Sequence, residues 1–206
     1  MKKRFPIFIG LLALVCAAFI VTGVVRATLM MEISDAGHML VSDTGDTSDF
    51  DSKLYEIAYS SPVAPEKIGL WLEAVLSKHF ETFSANEKPL SPELAGKLRG
   101  WPIAKTAEID LSNSSATDEW LAQLGKLNAA DWVDLSGTGI TEKGLLTLAN
   151  NAPQLRKLQL NNTKISWNAE LVEALLSIPS LKDVEIDENQ IDVTTREKIK
   201  SVLEKR

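Results

Sequence analysis

The side chains most often used in acid-base, nucleophilic or metal chemistry are scarce in this 206-residue sequence, which contains two histidines and one cysteine. His38 and His79 are isolated, since neither has a partner at the spacing of a catalytic pair or a metal-ligand motif. With Cys16 alone, neither an intramolecular disulfide nor a multi-cysteine metal site can form. The sequence therefore predicts no cofactor, no metal site and no catalytic histidine or cysteine.

Two aspartates remain as candidates for catalysis. Asp110 and Asp134 occupy equivalent positions in two similar segments, and neighbouring carboxylates can act as a general acid and base. Such a pair needs a desolvated pocket that separates the two pKa values, whereas both aspartates belong to an open strand pattern with polar neighbours. We therefore expect a protein that is not an enzyme and has no small-molecule substrate.

The two aspartates belong to a pattern that occurs four times. The segments are TAEIDLSNSSA (106–116), ADWVDLSGTGI (130–140), LRKLQLNNTKI (155–165) and LKDVEIDENQI (181–191). Each fits L-x-x-L-x-L-x-x-(N/T)-x-(I/L) with substitutions, and successive segments begin 24 to 26 residues apart. A period of this size predicts a repeat protein in which stacked coils share one continuous core.

Each segment predicts a short parallel strand followed by a helix. The inward-facing strand residues are Ile109, Leu111, Val133, Leu135, Leu158, Leu160, Val184 and Ile186, and Ala116, Ile140, Ile165 and Ile191 return to the core after the turn. The helices are expected at 117–127, 141–151, 166–178 and 194–205. Thr117, Thr141 and Ser166 are predicted N-caps, and Thr194 with Glu197 fits a capping box.

The repeated segments resemble the leucine-rich-repeat family, and the phrase LSGTGIT is most similar to the helix-bearing subtypes of bacterial and F-box-type repeat proteins. The resemblance covers residues 103–206, about half of the chain. It implies an α/β fold, a short solenoid of about four strand-helix coils, and protein recognition without a particular ligand. At the family's asparagine or cysteine ladder position this sequence has Ser114, Thr138, Thr163 and Asn189, which implies a thinner side-chain ladder.

The strand residues that alternate with the core positions are expected on the concave surface, where a protein partner would bind. The candidate partner-binding residues are Glu108, Asp110, Trp132, Asp134, Ser136, Lys157, Gln159, Asn161 and Glu185. Ser112, Asp183 and Asp187 follow the same alternation. On adjacent strands Asp110 and Asp134 would lie side by side and repel each other unless a cation or a basic partner covers them.

Two of these positions allow more than one interpretation. Trp132 is either an interface anchor or a residue packed against the N-terminal cap or a neighbouring strand. Asp183, Glu185 and Asp187 lie on the last strand, where charge also deters edge-to-edge aggregation. Trp120, near a helix start, is expected to pack in or beside the core.

A helical cap is expected before the first repeat, over residues 61–102. Apolar residues at three- and four-residue steps predict one helix over 66–83, and a second is predicted over 92–99 with Ser91 as its N-cap. Such a cap would cover the core at the open end of the solenoid.

Residues 26–60 are expected to form an extracytoplasmic linker, and the stretch 34–52 within them is rich in serine, aspartate, threonine and glycine, as suits a solvated tether. The aspartates at 43, 46, 49 and 51 suggest a calcium loop, but they lack the glycine and glutamate spacing of an EF-hand. A solvated linker is therefore the favoured interpretation.

The segment 5–25 contains 21 residues without a charge, which is long enough for a helix to cross a bilayer. The basic residues of 1–4 predict a cytoplasmic N-terminus, an extracytoplasmic C-terminal domain, and a single-pass membrane protein. The start MKKRF resembles a bacterial leader, which would place the domain in the periplasm at the inner membrane. Cleavage after 21–23 or 25–27 is the alternative to an uncleaved anchor.

The charge of the chain restricts its partners. From Glu32 onward there are 18 lysines and arginines against 28 aspartates and glutamates, a formal charge of −10. No basic patch is present, so nucleic acid is not expected as a partner. The sequence predicts a membrane-anchored interaction module, an adaptor or scaffold whose protein partner has a basic patch. The alternative is a structural accessory subunit of a larger membrane complex.

Overall fold

The structure, a computed structural model, describes residues 39–43, 79–100 and 103–206, together with positions 18, 21–22, 24–26 and 29. The chain divides into two compact units. The first comprises 1–36 and 44–77 and lies almost entirely outside the described residues. The second comprises 37–43 and 78–206, and the fold described below is that of this second unit.

The second unit contains a six-stranded sheet in which the strands are neighbours in chain order. The strands are β1 (Met39–Asp43), β2 (His79–Ser84), β3 (Thr106–Asp110), β4 (Trp132–Asp134), β5 (Lys157–Gln159) and β6 (Asp183–Glu185). The strands from β2 to β6 are parallel, whereas β1 is antiparallel to β2. The sheet therefore has a five-stranded parallel body with an antiparallel strand at its N-terminal end.

One helix follows each parallel strand. The helices are α1 (Pro92–Leu98), α2 (Asp118–Leu124), α3 (Glu142–Asn151), α4 (Ala169–Leu176) and α5 (Val193–Leu203), and a 3-10 helix at Ile103–Lys105 precedes β3. Because each strand pairs with the next one in sequence and successive helices pack together, the units stack in a solenoid-like α/β arrangement. The α/β repeat architecture expected from the sequence is confirmed.

The core lies between the sheet and the helices. The predicted inward residues of β3 to β5 are at most 1% exposed: Ile109, Leu111, Val133, Leu135, Leu158 and Leu160. Ala116 and Ile140 are fully buried after the turns, as predicted, and Ile165 and Ile191 are nearly so. Each fully buried aliphatic side chain contributes about 1.5–3 kcal/mol relative to an exposed one, and no single coil could bury this set alone.

The helix N-caps differ in part from the prediction. Thr117 and Thr141 cap α2 and α3 as expected, and Ser91 caps α1. The predicted caps Ser166 and Thr194 are wrong, because Asn168 and Asp192 cap α4 and α5 instead. Their side-chain oxygens accept hydrogen bonds from Leu171 N at 2.8 Å and Thr195 N at 2.9 Å. Two nearby residues with capping side chains compete at each site, and periodicity does not choose between them.

At two ladder positions a threonine hydroxyl donates a hydrogen bond within its own coil. Thr138 Oγ1 donates to Leu135 O at 2.6 Å, and Thr163 Oγ1 donates to Leu160 O at 2.8 Å. Both hydroxyl groups therefore close the turn of their own coil, and Thr163 Oγ1 also accepts a hydrogen bond from Gln190 Nε2 of the next coil at 3.4 Å.

The helical cap predicted over 61–102 is wrong at residues 79–84. The sequence predicts a helix over 66–83, whereas residues 79–84 form strand β2. On this strand Phe83 is fully buried beside Ile109 of β3. The helix 92–99 is confirmed as α1. The apolar residues Phe80 and Phe83, three apart, are compatible with a helix or with a short strand. Because this segment pairs with β3, it forms a strand. The parallel array therefore has five strand-helix units, one more than the four predicted.

The linker prediction for 26–60 is also wrong in one place, because 39–43 form β1. Residues 61–78 and the remaining acidic positions of the linker lie outside the described residues. Within the part of the chain that the structure describes, no helix has the length and apolar character to cross a bilayer. The segment 5–25 falls almost wholly outside that part, so the membrane anchor stays a prediction.

Candidate functional site

The candidate partner-binding residues lie in rows across the sheet because the parallel strands are in register. The first row contains Thr82, Glu108, Trp132, Lys157 and Asp183, and the second contains Ser84, Asp110, Asp134, Gln159 and Glu185. A third group follows the strand ends: Asn86, Ser112, Ser136, Asn161 and Asp187. These three sets, which alternate with the core residues, are together called the polar face.

The N-terminal part of the polar face is organised around Asp110. Its Oδ1 accepts hydrogen bonds from Ser112 N at 3.0 Å and Ser112 Oγ at 2.6 Å, and its Oδ2 accepts one from Ser84 Oγ at 3.1 Å. Ser112 also accepts a hydrogen bond from Asn86 Nδ2 and is only 5% exposed, so it lies on the polar face but is covered by its neighbours and is not open to a partner. Asp110 therefore joins two coils through neutral donors.

Asp134 lies opposite Asp110 in the register of β3 and β4, as predicted. Its Oδ1 accepts a hydrogen bond from Ser136 N at 2.8 Å, and Ser136 Oγ in turn accepts one from Asn161 N at 3.2 Å. No described residue donates a hydrogen bond to Asp134 Oδ2. Asp134 is partly exposed, so this oxygen remains available to a donor from outside the chain.

A hydrogen-bonded chain crosses β4, β5 and β6. Trp132 Nε1 donates to Gln159 Oε1 at 3.1 Å, and Gln159 Nε2 donates to Glu185 Oε2. Glu185 Oε1 lies 2.6 Å from Lys157 Nζ, which is also 3.9 Å from an oxygen of Asp183. The chain holds the indole of Trp132 against the neighbouring strand while leaving it partly exposed. By contrast, Trp120 is buried and donates to Ser91 O, as expected of a packed residue.

The lysine and glutamate of this chain stabilise each other's charged forms. The hydrogen bond from Lys157 lowers the pKa of Glu185, and the amide of Gln159 lowers it further. The same hydrogen bond from Lys157 to Glu185 raises the pKa of Lys157. Both side chains are about 40% exposed, so solvent screens the pair and its contribution to stability is small. Its main consequence is to hold both side chains in place.

The polar face carries mostly negative charge. Its described members include six carboxylates and a single lysine: Glu108, Asp110, Asp134, Asp183, Glu185, Asp187 and Lys157. The exposed Glu108 accepts a hydrogen bond from Thr82 Oγ1 at 3.1 Å. Since three carboxylates surround Lys157, the positive charge of this lysine is locally compensated, and the surface presents a negative field. Among the described residues no group of three His, Cys, Asp or Glu side chains could hold a metal ion.

Sequence reasoning missed three members of the polar face: Thr82, Ser84 and Asn86. The signal was present, because Phe80 pairs with Thr106, which lies 26 residues, one period of the repeat, further along the chain. In that alignment Phe83 takes the core position of Ile109. The four-fold repeat could therefore have been extended by one unit toward the N-terminus.

Comparisons with known proteins provide evidence on the fold of this chain and not on its function. No protein-family model and no curated protein matches the sequence. Among solved structures, leiomodin-1 actin-binding site 2 is similar, with a TM-score of 0.50, 14% identity, and coverage of 76% of this chain and 90% of that one. At this identity the similarity concerns the fold alone. It agrees with the solenoid-like order of parallel strands and helices in the second unit.

Proposed function

We propose that the protein is a non-catalytic binding module of the leucine-rich-repeat type, whose polar face binds a protein partner with a basic patch. The observation that carries the proposal is the presence of six carboxylates and a single lysine among the described residues on one face of the sheet. Complementary charge accelerates association and rejects partners of the wrong sign. Asp134 Oδ2 has no donor among the described residues and lies two residues from Trp132 on the same strand, so it can accept a hydrogen bond from a partner's lysine or arginine.

Trp132 is the proposed anchor of the interface. Tryptophan is enriched among residues that dominate binding energy, and it is most effective when its side chain is held in the bound orientation beforehand. The hydrogen bond to Gln159 supplies that restraint. The two interpretations of Trp132, packing on a neighbouring strand and anchoring an interface, are thus compatible.

The fold is compatible with protein recognition. The similar solved structure of leiomodin-1 is a protein-binding site, and its partner is actin. The similarity does not transfer the actin partner to this chain. It supports only the use of such a fold for protein recognition.

The proposal includes a membrane anchor. The uncharged segment 5–25, preceded by the basic residues of 1–4, supports a single-pass adaptor or scaffold with an extracytoplasmic domain, facing the periplasm if the organism is bacterial. The alternative is an accessory subunit that assembles through the anchor. Partner capture by a form lacking residues 1–30 would support the adaptor, whereas capture by the full chain alone would support the subunit.

The decisive experiment is partner capture from native membranes with a double variant, Trp132→Ala with Asp134→Lys. We expect capture to be lost, because the variant removes the anchor and reverses the charge at the free carboxylate. The melting temperature should change little, since both side chains are partly exposed. The matched control is Trp167→Ala with Glu170→Lys at the start of α4, which should retain capture. Undiminished capture by a folded double variant would exclude the polar face as the binding site.

A further inference from the structure

The last coil leaves part of the apolar core uncovered. β6 pairs with β5 only, and no strand adjoins its other edge among the described residues. In the preceding coil the equivalent residues Leu158 and Leu160 are fully buried, whereas Val184 and Ile186 are partly exposed. The difference arises because the described array contains no further coil to cover them.

Val184 and Ile186 line a groove of about 340 Å³ between β6 and α5. Its floor is completed by Ile199 and Leu203 of α5. Val193 is 59% exposed and lies at the start of the same helix. The groove is therefore an apolar site with room for side chains from another chain.

The groove is bordered by cations. Lys182, Arg196 and Lys200 line it, together with Asp183 and Glu204. Arg196 is paired with Glu188 at 2.7 Å, and Lys200 lies 3.8 Å from Glu204. No carboxylate lies within ion-pair distance of Lys182 in the described part of the chain. The groove side of β6 therefore favours apolar or acidic side chains over basic ones.

The outer edge of β6 also offers backbone hydrogen bonds. Asp183 N donates to Arg156 O at 3.0 Å, and Glu185 O accepts from Leu160 N at 2.9 Å, so these two residues turn their peptide groups toward β5. In a parallel ladder the intervening residues turn theirs the other way. The N–H and C=O of Val184 and Ile186 therefore face the free edge, where an added strand could bond to them.

A second copy of the same strand fits this edge poorly. In antiparallel pairing centred on Val184, Asp183 of each copy would lie opposite Glu185 of the other. Moving the centre of the pairing by one residue, to Asp183 or to Glu185, places that carboxylate opposite its own copy. Like charges directly opposite each other destabilise a strand pair. The carboxylates that deter self-pairing would instead favour a strand with lysine or arginine at the same positions.

We propose that the free edge of β6 accepts an extended segment of the protein partner as an additional strand, a recognition mode known as β-augmentation. The segment carries lysine or arginine on the side of the polar face, beside Asp183, Glu185 and Asp187, and apolar residues over the groove. This inference rests on the proposed function and specifies it, because it names the conformation and residue pattern of the partner's basic segment.

The direct test measures binding of short synthetic peptides to the full chain in mild detergent. A peptide of alternating lysine and valine is the probe, and one of alternating glutamate and valine is the charge control. We expect the lysine peptide to bind at least about tenfold more tightly. Equal affinity of the two peptides would overturn the proposal.

N-methylation separates strand addition from simple charge attraction. One form of the lysine peptide is methylated on the lysine nitrogens of the backbone and another on the valine nitrogens. Because only alternate peptide groups of an added strand face β6, one form should lose binding by about tenfold or more while the other retains it. Which form fails identifies the strand direction. Similar binding by both forms would contradict strand addition.

Substitution of β6 distinguishes this proposal from the function on which it rests. Val184→Pro removes an N–H from the free edge without breaking a bond to β5, and Val184→Thr is the control that keeps this N–H. We expect the proline variant to lose peptide binding and partner capture, and the threonine variant to retain most of both. If Val184→Pro captures the partner normally while Trp132→Ala with Asp134→Lys does not, the polar face stands and strand addition is rejected. If the proline variant does not fold, strand addition is tested instead by the binding of the two N-methylated peptides to the unsubstituted chain.

Discussion

At the scale of single residues, the contact between Asp118 and the start of α3 explains why α3 has a glycine, Gly144, in its first turns. Asp118 Oδ1 and Oδ2 accept hydrogen bonds from Thr141 N at 2.9 Å and Thr141 Oγ1 at 2.5 Å. A Cβ added to Gly144 would lie 2.2 Å from Asp118 Oδ1 and 3.0 Å from Ile140 Cγ2. The absence of a side chain at this position lets α2 connect to α3 through a charged acceptor.

Gly144→Ala should therefore destabilise the protein although alanine favours a helix. We expect a loss of about 1–3 kcal/mol in the free energy of unfolding, from the displaced Asp118 and its weakened hydrogen bonds. Gly96→Ala in α1 is the matched control. Nothing lies within 4 Å of its added Cβ, so it should stabilise by up to about 1 kcal/mol. Denaturant unfolding of both variants checks the prediction, and equal effects of the same sign would contradict it.

The pair formed by Lys157 and Glu185 predicts a pH dependence. The pKa of Glu185 is lowered from its ordinary 4.5, so the pair's contribution is present above that pH and is lost as the pH falls through the folded-state pKa. Lys157→Met should raise the pKa of Glu185 toward its ordinary value and lower the stability only slightly at neutral pH, because solvent screens the pair. NMR titration of the Glu185 carboxyl carbon measures this shift. An unchanged titration in the variant would show that the pair does not form in solution.

At the scale of elements, the structure differs most from the sequence prediction at β2. The fully buried Phe83 lies on this strand beside Ile109 of β3, whereas Thr82 points to the polar face. Phe83→Ala should cost about 3–5 kcal/mol because it leaves a cavity in the shared core. Thr82→Ala loses one exposed hydrogen bond and should cost less than about 1 kcal/mol. Thermal unfolding of the two variants makes the comparison, and similar small losses would mean that β2 does not belong to the core.

Sequence periodicity predicted β3 to β6 because Val133, Leu158 and their equivalents recur at a regular spacing in apolar-polar alternation. It failed at β2 because Phe80 and Phe83, three residues apart, fit a helix when no partner strand is considered. The candidate binding rows could be predicted for the same reason as the strands, since parallel register follows from nearly equal coil lengths. The role of Gln159 could not, because a bridge from Trp132 to Glu185 depends on side-chain rotamers across three strands.

At the scale of the whole molecule, stability in a stacked array depends on each coil's neighbours. Three equivalent amides report on successive interfaces: Leu111 N donates to Asp134 O, Leu135 N to Gln159 O, and Leu160 N to Glu185 O, each at 2.9 Å. All three leucines are fully buried, so their local environments are matched. Only the acceptor of Leu160 belongs to the last coil, which among the described residues has a neighbour on one side and leaves Val184 partly exposed.

Native-state hydrogen exchange should therefore be fastest at Leu160 among these three amides, because the last coil opens without disrupting the others. Since each 1.4 kcal/mol of opening free energy changes the exchange rate about tenfold, a difference of this size is easily measured. If a partner strand adds to β6, the lysine-valine peptide should slow exchange at Leu160 far more than at Leu111. Equal rates at all three amides would instead mean that the array unfolds as one cooperative unit, in which covering the last coil would protect every coil alike.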